Sequence, residues 1–276
     1  MTLVWRGQHQ NISDARSGAG RAWAHKRINM TGNPPMSPAF RPSRRQFAKS
    51  VGLAAGAAGL GVAAIGAAPA AADPPATRDA DAVLAHLMEG NKRFVRGETS
   101  LLNRRRPSDF AALAEGQAPV AVIFTCVDSR VPPELIFDQG IGDLFVIRVA
   151  GNIVSGAGPV MKGSVEYAVA ELNVKLIMVL GHGKCGAVDA AIQHIGANDK
   201  LPGAIDAMIH MIEPAVTSAK DLPGDRLENT IKANVRHGVE RLRTLDPILS
   251  KQVESGGLKV VGAVYNLATG AVEMVD

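Results

Sequence analysis

Apolar and polar residues follow two different patterns along the part of the chain that begins at residue 73. In the first pattern, short unbroken apolar runs predict strands that are buried on both faces. These runs cover residues 119–125, 143–149 and 175–180. In the second pattern, apolar residues recur every three or four positions, which predicts helices. The helical segments are 81–95, 160–172, 185–195, 203–219 and 225–244, and closing strands follow at 258–265 and 271–275.

Strand and helix segments alternate along the chain, and this order predicts an α/β fold. The central sheet is expected to be mainly parallel and flanked by helices, because most strands are separated from the next by a crossover segment. We find no internal repeat in the sequence. We therefore predict a single domain over residues 73–276.

Residues 1–72 have the layout of an export signal rather than of a folded domain. The twin arginine Arg44–Arg45 precedes an apolar run over residues 51–68 and three alanines at 70–72, which suit a cleavage site. The run is mostly Ala and Gly, which disfavours a membrane-spanning helix. We predict a Tat-type signal, export by the Tat machinery to the periplasm or the cell exterior, and no membrane span after cleavage. The compact segment that begins at Met36 predicts that the true start lies there.

The basic excess of the chain is confined to that signal. Of the 30 Lys and Arg residues, nine lie in residues 1–72, together with the single acid Asp14. Residues 73–276 therefore carry 21 basic and 25 acidic residues, a net charge of −4. The overall charge of +4 is thus no evidence for a nucleic-acid partner, and none is predicted.

Two short motifs carry the candidate chemistry. They are Cys126-Val-Asp-Ser-Arg130 and His182-Gly-Lys-Cys185, and together they hold both cysteines of the chain. Two thiolates and an imidazole are ligands that Zn²⁺ prefers, and Asp128 or a water is available for the fourth position. Each motif follows a predicted strand, and parallel strands direct their carboxyl ends to the same edge of a sheet. The sequence therefore predicts that the ligands converge, although 59 positions separate the two cysteines.

The two cysteines also allow a competing interpretation, because an exported chain can form a Cys126–Cys185 disulfide. A disulfide would leave His182 and the pair of Asp128 and Arg130 without a role. Tat substrates cross the membrane folded, so zinc can be bound in the reducing cytoplasm and protect both thiols before export. Zinc is therefore the favoured interpretation.

The motifs resemble those of the β-class carbonic anhydrase family. The likeness extends from about Asp81 to the C-terminus and includes three further segments, Asp143-Leu-Phe-Val-Ile-Arg148, Gly151-Asn152 and Ser164-Val-Glu-Tyr-Ala168. The resemblance implies a catalytic domain in which Cys126, His182 and Cys185 bind zinc. Attack of zinc-bound hydroxide on CO₂ would then give bicarbonate and a proton, reversibly. The resemblance also implies a homodimer, or a higher even oligomer, with active sites at the subunit boundary.

The same resemblance implies a set of substrate-binding residues. In one sub-form of the family a glutamine nine residues before the first cysteine helps to bind substrate, and Gln117 has that position here. Phe145 and Tyr167 would form an apolar wall that the neighbouring subunit contributes. The other sub-form has a tryptophan three residues before the first cysteine, where this chain has Ile123, so the open sub-form is predicted. One departure from the family is Val149, where asparagine is common.

The expected roles of Asp128 and Arg130 follow from charge. Two thiolates cancel the formal charge of Zn²⁺, so an unpaired carboxylate beside them would weaken the acidification of bound water further. Arg130 is expected to hold Asp128 off the metal, where Asp128 can accept the hydroxide proton. Without Arg130, Asp128 would become a fourth ligand in a closed state. The turn at Gly151 is expected to offer a backbone donor to substrate.

Other functions stay open on sequence alone. Hydrolysis of carbonyl sulfide or carbon disulfide would use the same site, and a non-catalytic zinc-binding protein would need only the ligands. A closed structural zinc site is disfavoured, because such sites usually use two closely spaced ligand pairs, whereas Cys126 stands apart from the other ligands. The remaining candidate ligands are expected to be packing or surface residues. They are His194, His210, His237, Met208 and Met211.

Overall fold

The computed structural model describes residues 79–100, 111–154 and 158–275. The predicted signal, with its possible start at Met36, lies outside these ranges. The helices are α1 (Ala80–Arg96), α2 (Pro133–Ile136), α3 (Gly158–Ala170), α4 (Gly186–Ala197), α5 (Ala204–His210), α6 (Glu213–Ser218), α7 (Arg226–Arg243) and α8 (Leu249–Glu254). The strands are β1 (Ala121–Thr125), β2 (Leu144–Arg148), β3 (Leu176–His182), β4 (Lys259–Tyr265) and β5 (Val272–Val275). Among the described helices, none has the length and apolar composition needed to cross a bilayer.

The five strands form one sheet in the order β2-β1-β3-β4-β5. The first four strands are parallel, and β5 pairs with β4 in the antiparallel direction. This topology confirms the predicted α/β fold with a mainly parallel sheet. It also places β1 and β3 side by side in the middle of the sheet, where their carboxyl ends share one edge.

The core lies on both faces of the sheet, which explains the unbroken apolar runs in the sequence. Side chains alternate between faces along a strand. Val122 and Phe124 of β1 accordingly belong to one buried cluster with residues of α3 and α7, whereas Ile123 belongs to a second cluster that includes residues of α1. All five residues of β1 are buried. Because both faces of the sheet are buried, every side chain in such a strand is apolar or closely packed.

Helix α1 begins and ends where the local chemistry predicts. The carboxylate of Asp79 accepts a hydrogen bond from the Ala82 backbone N–H at 2.9 Å, which caps the first turn. Gly97 ends the helix with a φ of 70°, in the left-handed region that glycine adopts without strain. The predicted helix over 81–95 is confirmed.

The structure differs from the prediction in four helices, α2, α5, α6 and α8. The single helix predicted over 203–219 is two helices, α5 and α6, separated at Met211 and Ile212. Pro214 lies in the first turn of α6, where its missing N–H is tolerated, whereas in the interior of a longer helix it would break the hydrogen bonding. Helices α2 and α8 were not predicted, because four and six residues are too short to show helical periodicity.

Candidate metal centre

The ends of β1 and β3 bring the predicted ligands together. Cys126 follows the last residue of β1, His182 is the last residue of β3, and Cys185 immediately precedes α4. The hydroxyl of Thr125 donates to the Leu180 carbonyl at 2.8 Å, a buried hydrogen bond that ties the two strand ends to each other. Because the strands are parallel neighbours, side chains distant in sequence meet at one point.

The three donor atoms form a cluster that fits a metal ion. The two Sγ atoms and a ring nitrogen of His182 lie within 4.8 Å of one another, and all three side chains are buried. A tetrahedral zinc ion separates such ligand atoms by about 3.3–3.8 Å, so small side-chain rotations would close the cluster around it. Both thiols are free, so the structure contains no disulfide between Cys126 and Cys185.

The imidazole of His182 is oriented for metal binding. Its Nδ1 atom lies 2.9 Å from the Gly183 carbonyl oxygen, which can only accept, so Nδ1 carries the proton. In the neutral ring, Nε2 therefore keeps its lone pair. Within the described residues Nε2 is buried and has no hydrogen-bond partner. A buried acceptor with an unused lone pair beside two thiols is what a zinc ligand requires before the metal binds.

Charge in the cluster is shared unequally between the sulfur atoms. The thiol of Cys185, more than any other group, lowers the pKa of Cys126 to about 4. Cys126 in turn raises the pKa of Cys185. Burial alone would lower the pKa of His182, but the adjacent Cys126 sulfur and the Gly183 carbonyl outweigh it and raise that pKa. The lowered pKa favours the thiolate form of Cys126, and a thiolate favours a cation in the cluster.

Asp128 and Arg130 form the predicted pair at the edge of the cluster. Oδ1 of Asp128 accepts from the Arg130 backbone N–H at 2.9 Å and from Nε at 3.0 Å, and Oδ2 accepts from Nη2 at 2.7 Å. These hydrogen bonds from Arg130 hold the pKa of Asp128 well below its usual range. Oδ2 also lies 3.8 Å from Nε2 of His182. Asp128 is therefore ionised, held by Arg130, and close to the position that a metal would occupy.

Arg148 is a functional candidate to which the sequence analysis assigned no role. It ends β2, and its Nε donates to the Cys126 carbonyl at 2.9 Å while its Nη2 donates to the Asp128 carbonyl at 2.6 Å. It thereby fixes the backbone on both sides of Val127. The sequence feature that indicates this role is an arginine at the carboxyl end of a predicted apolar strand.

Val149, the departure from the family pattern, packs against apolar clusters and donates its backbone N–H to the Thr125 carbonyl at 3.0 Å.

The turn that contains Gly151 lies against Cys126. The Gly151 N–H donates to Sγ of Cys126 at 3.3 Å. The sequence analysis offered this turn as a donor to substrate, but the structure directs the Gly151 N–H to the sulfur atom. The Gly151 carbonyl accepts from Nδ2 of Asn234 at 2.8 Å. Asn234 lies on α7, and nothing in the local sequence links it to a residue 83 positions earlier.

The predicted substrate-binding residues lie elsewhere in the protomer. Gln117 is exposed in the segment before β1. The rings of Phe145 and Tyr167 contact each other, with centroids 6.5 Å apart and planes inclined at 39°. Phe145 pairs with Val122, three positions before the end of the β1–β2 ladder, which corresponds to about 10 Å along the strand. The two rings thus form a wall on the edge strand β2 rather than a lining of the same protomer's metal cluster.

The residues expected to be unrelated to the site have ordinary surroundings. Ile123 is fully buried in the core. Nδ1 of His194 lies 2.8 Å from an Asp199 carboxylate oxygen, and Nδ1 of His210 lies 2.8 Å from the Asp206 carbonyl oxygen. Met208 and Met211 are partly buried and pack against an apolar cluster. The packing role predicted for both methionines is confirmed.

Known proteins resemble this chain in sequence and in fold. The family model described as carbonic anhydrase matches residues 121–272. The protein named carbonic anhydrase 2 from Mycobacterium tuberculosis is 40% identical over 194 residues, which cover 69% of this chain and 90% of that protein. Among solved structures, one of the tetrameric β-carbonic anhydrases of Sordaria macrospora has a TM-score of 0.56 at 28% identity, covering 62% of this chain and 87% of that one. The β-carbonic anhydrase of Coccomyxa in complex with acetazolamide has a TM-score of 0.56 at 28% identity. The match covers 70% of this chain and 86% of that one.

The family match and the site agree with each other. The match runs from the start of β1 to the first residue of β5 and includes all three members of the donor cluster, Cys126, His182 and Cys185. Zinc is the cofactor of this family and fits these thiol and imidazole donors. The chain therefore belongs to the carbonic anhydrase family, in its β class, and is a zinc-dependent carbonate dehydratase.

Proposed function

We propose that the chain hydrates CO₂ reversibly at a zinc ion bound by Cys126, His182 and Cys185. The observation that carries this proposal is the pairing of a buried three-donor cluster with an acid that Arg130 holds beside it. Catalytic zinc sites combine three protein ligands with one open position. In this structure Asp128, the carboxylate of the Cys126 motif, is engaged by three hydrogen bonds from Arg130, which keep it from filling that position.

Zinc, when bound, supplies a Lewis acid that allows water to ionise near neutral pH. Asp128 is ionised and can therefore accept a proton from a group close to the metal. Arg130 aims the carboxylate and neutralises its charge, so the cluster is not burdened with a third uncompensated negative charge. If Arg130 released Asp128, Oδ2 would have only a short distance to travel to the metal, because it lies 3.8 Å from Nε2 of His182. The hydrogen bonds between Arg130 and Asp128 thus determine whether the fourth metal position is open or is filled by Asp128.

The substrate pocket is proposed to be completed by a second copy of the chain. CO₂ is small and apolar, so it requires an apolar wall and a few donors rather than a charged clamp. Phe145 and Tyr167 would supply the wall from the neighbouring subunit, and Gln117 would supply a donor. Two observations support a dimer through this face: β2 is an edge strand, and α3 exposes Val160 by 82% and Tyr167 by 47%. The tetrameric Sordaria macrospora relatives agree with an even oligomer.

Export is proposed from the sequence alone. Residues 1–72 would direct the folded precursor to the Tat machinery and then be removed, leaving residues 73–276 as a single catalytic domain. Replacement of Arg44 and Arg45 by lysine is expected to retain the protein in the cytoplasm, as measured by cell fractionation. Export of the twin-lysine variant would contradict a Tat-type signal. Peptides from residues 1–35 in the precursor would contradict a start at Met36.

Stopped-flow measurement of CO₂ hydration by the full zinc-loaded chain tests the activity. We expect turnover that a strong chelator abolishes and that added zinc restores. The matched control is Cys185→Ala, which removes a proposed ligand and, where circular dichroism shows it folded, is expected to be inactive at every zinc concentration. Turnover of only carbonyl sulfide or carbon disulfide would contradict CO₂ as the substrate. The absence of any turnover in fully zinc-loaded dimers would leave a zinc-binding protein without catalysis.

A further inference from the structure

Asn234 is a polar side chain in the most apolar part of α7. Its neighbours Val235 and Val239 belong to the main core cluster, and Asn234 itself is only 5% exposed. A buried amide costs free energy unless its polar atoms are hydrogen bonded. The Asn234 Nδ2 atom makes its bond at 2.8 Å to the carbonyl of Gly151, which lies next to the metal cluster. The helix thus carries a donor that is aimed at the metal site.

Gly151 links Asn234 to Cys126, one of the proposed zinc ligands. The carbonyl of Gly151 is fixed by Asn234, while its own N–H points at Sγ of Cys126 at 3.3 Å. The residue has a φ of 64°, and a Cβ atom there would lie 3.2 Å from the side chains of Ala187 and Ile212. Glycine is therefore required at this position. Its conformational freedom also means that the turn needs an external contact to fix its orientation.

We propose that Asn234 is a positioning residue that acts through Gly151 to hold an N–H···S hydrogen bond on Cys126 in the metal-loaded enzyme. The inference rests on the proposed zinc site but not on turnover. An N–H dipole directed at a thiolate withdraws electron density from the sulfur atom, so the sulfur donates less charge to the metal. In a site with two thiolate ligands, this preserves part of the positive charge that the metal needs as a Lewis acid.

The hydrogen bond itself can be detected in the unaltered protein. The chain is loaded with the spin-half isotope of cadmium, which replaces zinc at thiolate sites, and proton–cadmium correlation spectra are recorded. We expect the Gly151 amide proton to show a coupling to cadmium, because scalar coupling is transmitted through an N–H···S–metal link. If cadmium couples to the cysteine Cβ protons but not to the Gly151 amide proton, the proposal is overturned. This measurement does not depend on the folding of any variant.

The role of Asn234 is tested with cobalt as a spectroscopic probe. Loss of the N–H···S bond makes a thiolate easier to oxidise, so the thiolate-to-cobalt charge-transfer band is expected to move to longer wavelength in Asn234→Ala. Asn234→Leu has a similar size but no donor for the Gly151 carbonyl, and it is expected to move the band in the same direction. Zinc affinity is expected to fall by about 10-fold in both variants.

Asn229→Ala is the matched control. Asn229 lies on the same helix and its Nδ2 donates to the Pro223 carbonyl at 3.0 Å, away from the metal cluster. The Asn229→Ala variant is expected to be less stable than the wild type but to have an unmoved cobalt band. An unmoved band in folded Asn234→Ala would overturn the proposal, because a purely structural role for Asn234 would alter stability alone. Absence of CO₂ turnover in the wild type would contradict the proposed function but not this inference, since cobalt and cadmium report on the ligand directly.

Discussion

The end of β1 and the end of β3 supply the same metal site but differ in how they are built. The β3 end is closed, because His182 is fully buried, Cys185 is 1% exposed, and the Gly183 N–H donates to the Tyr265 carbonyl of β4 at 2.9 Å. The β1 end opens towards solvent. The side chain of Asp128 is 17% exposed and that of Arg130 is 56% exposed.

The difference lies in what fixes each backbone. At the β3 end the sheet continues to the ligand itself, since His182 is still paired with Tyr265 of β4. At the β1 end the sheet stops at Thr125, and side chains from elsewhere hold the segment that follows. Arg148 fixes two of its carbonyls and Gly151 contacts its sulfur atom. We therefore propose that the β3 end, with His182 and Cys185, mainly holds the metal, whereas the β1 end adds the ligand Cys126 and adjusts the chemistry through Asp128 and Arg130.

Removal of a ligand from the closed end is expected to have the largest effect. Cys185→Ala should lower zinc affinity by more than about 100-fold, because even the loss of a group that only supports a ligand costs about 10–100-fold. CO₂ hydration should disappear with the metal. Zinc content after dialysis against a chelator measures the first effect. Retention of stoichiometric zinc by this variant would show that Cys185 is not a ligand.

Arg130→Ala should separate metal binding from activity at the open end. Zinc should remain bound, whereas kcat should fall by about 100-fold or more, the usual contribution of a positioned proton acceptor. Asp128, released, would approach the metal and close the site. The matched control is Arg96→Ala, since Arg96 makes a similarly short exposed pair with Glu98 at 2.7 Å, away from the metal. Full activity in Arg130→Ala would refute the role given to the pair.

Arg148→Ala should weaken the open end in a graded way. Losing the donors to the Cys126 and Asp128 carbonyls is expected to lower both zinc affinity and kcat by about 10-fold, because the ligand and the acid are no longer fixed together. Arg243→Ala serves as the comparison, since its Nη2 donates to the Val260 carbonyl at 2.8 Å within the fold. Equal effects of the two variants on zinc affinity would show that Arg148 acts only through stability.

Acid should weaken the pair of Asp128 and Arg130, with the smallest effect of the series. Arg130 lowers the pKa of folded Asp128 below the unfolded value of about 3.9. The pair therefore contributes stability that is present above that pH and is lost as the pH falls through the folded pKa. In the metal-free protein, the free energy of unfolding should fall between pH 5 and pH 3 less steeply in Asp128→Asn than in the wild type. Urea unfolding at both pH values measures this, and parallel curves would contradict it.

The sequence was sufficient to predict the sheet and the meeting of the three donor side chains, because both depend on local patterns. The apolar runs at 119–125 and 175–180 predicted two buried strands, and each motif comes directly after one of these runs in the sequence. The pairing of Asp128 with Arg130 was likewise predictable, since the two residues are separated by only one position. These features require no knowledge of distant contacts beyond the rule that parallel strands share a carboxyl edge.

The side chains that support the site could not be predicted, because they arrive from distant parts of the chain. The interaction of Asn234 with Gly151 spans 83 residues, and that of Arg148 with Cys126 spans 22. Neither contact leaves a periodic pattern in the sequence. The break between α5 and α6 was missed for a different reason, since the apolar spacing continues across it and only Pro214 marks the second helix. Supporting contacts of this kind depend on tertiary packing.

The arrangement of three ligands and one open position is tested most directly by a crystal structure of the zinc-loaded protein near neutral pH. Anomalous scattering at the zinc edge locates the ion without reference to the protein atoms. We expect a single zinc bound by Cys126, His182 and Cys185, with Asp128 still hydrogen bonded to Arg130 and the fourth position free of protein atoms. Zinc bound by Asp128 in the wild-type enzyme, with Arg130 released, would contradict the account.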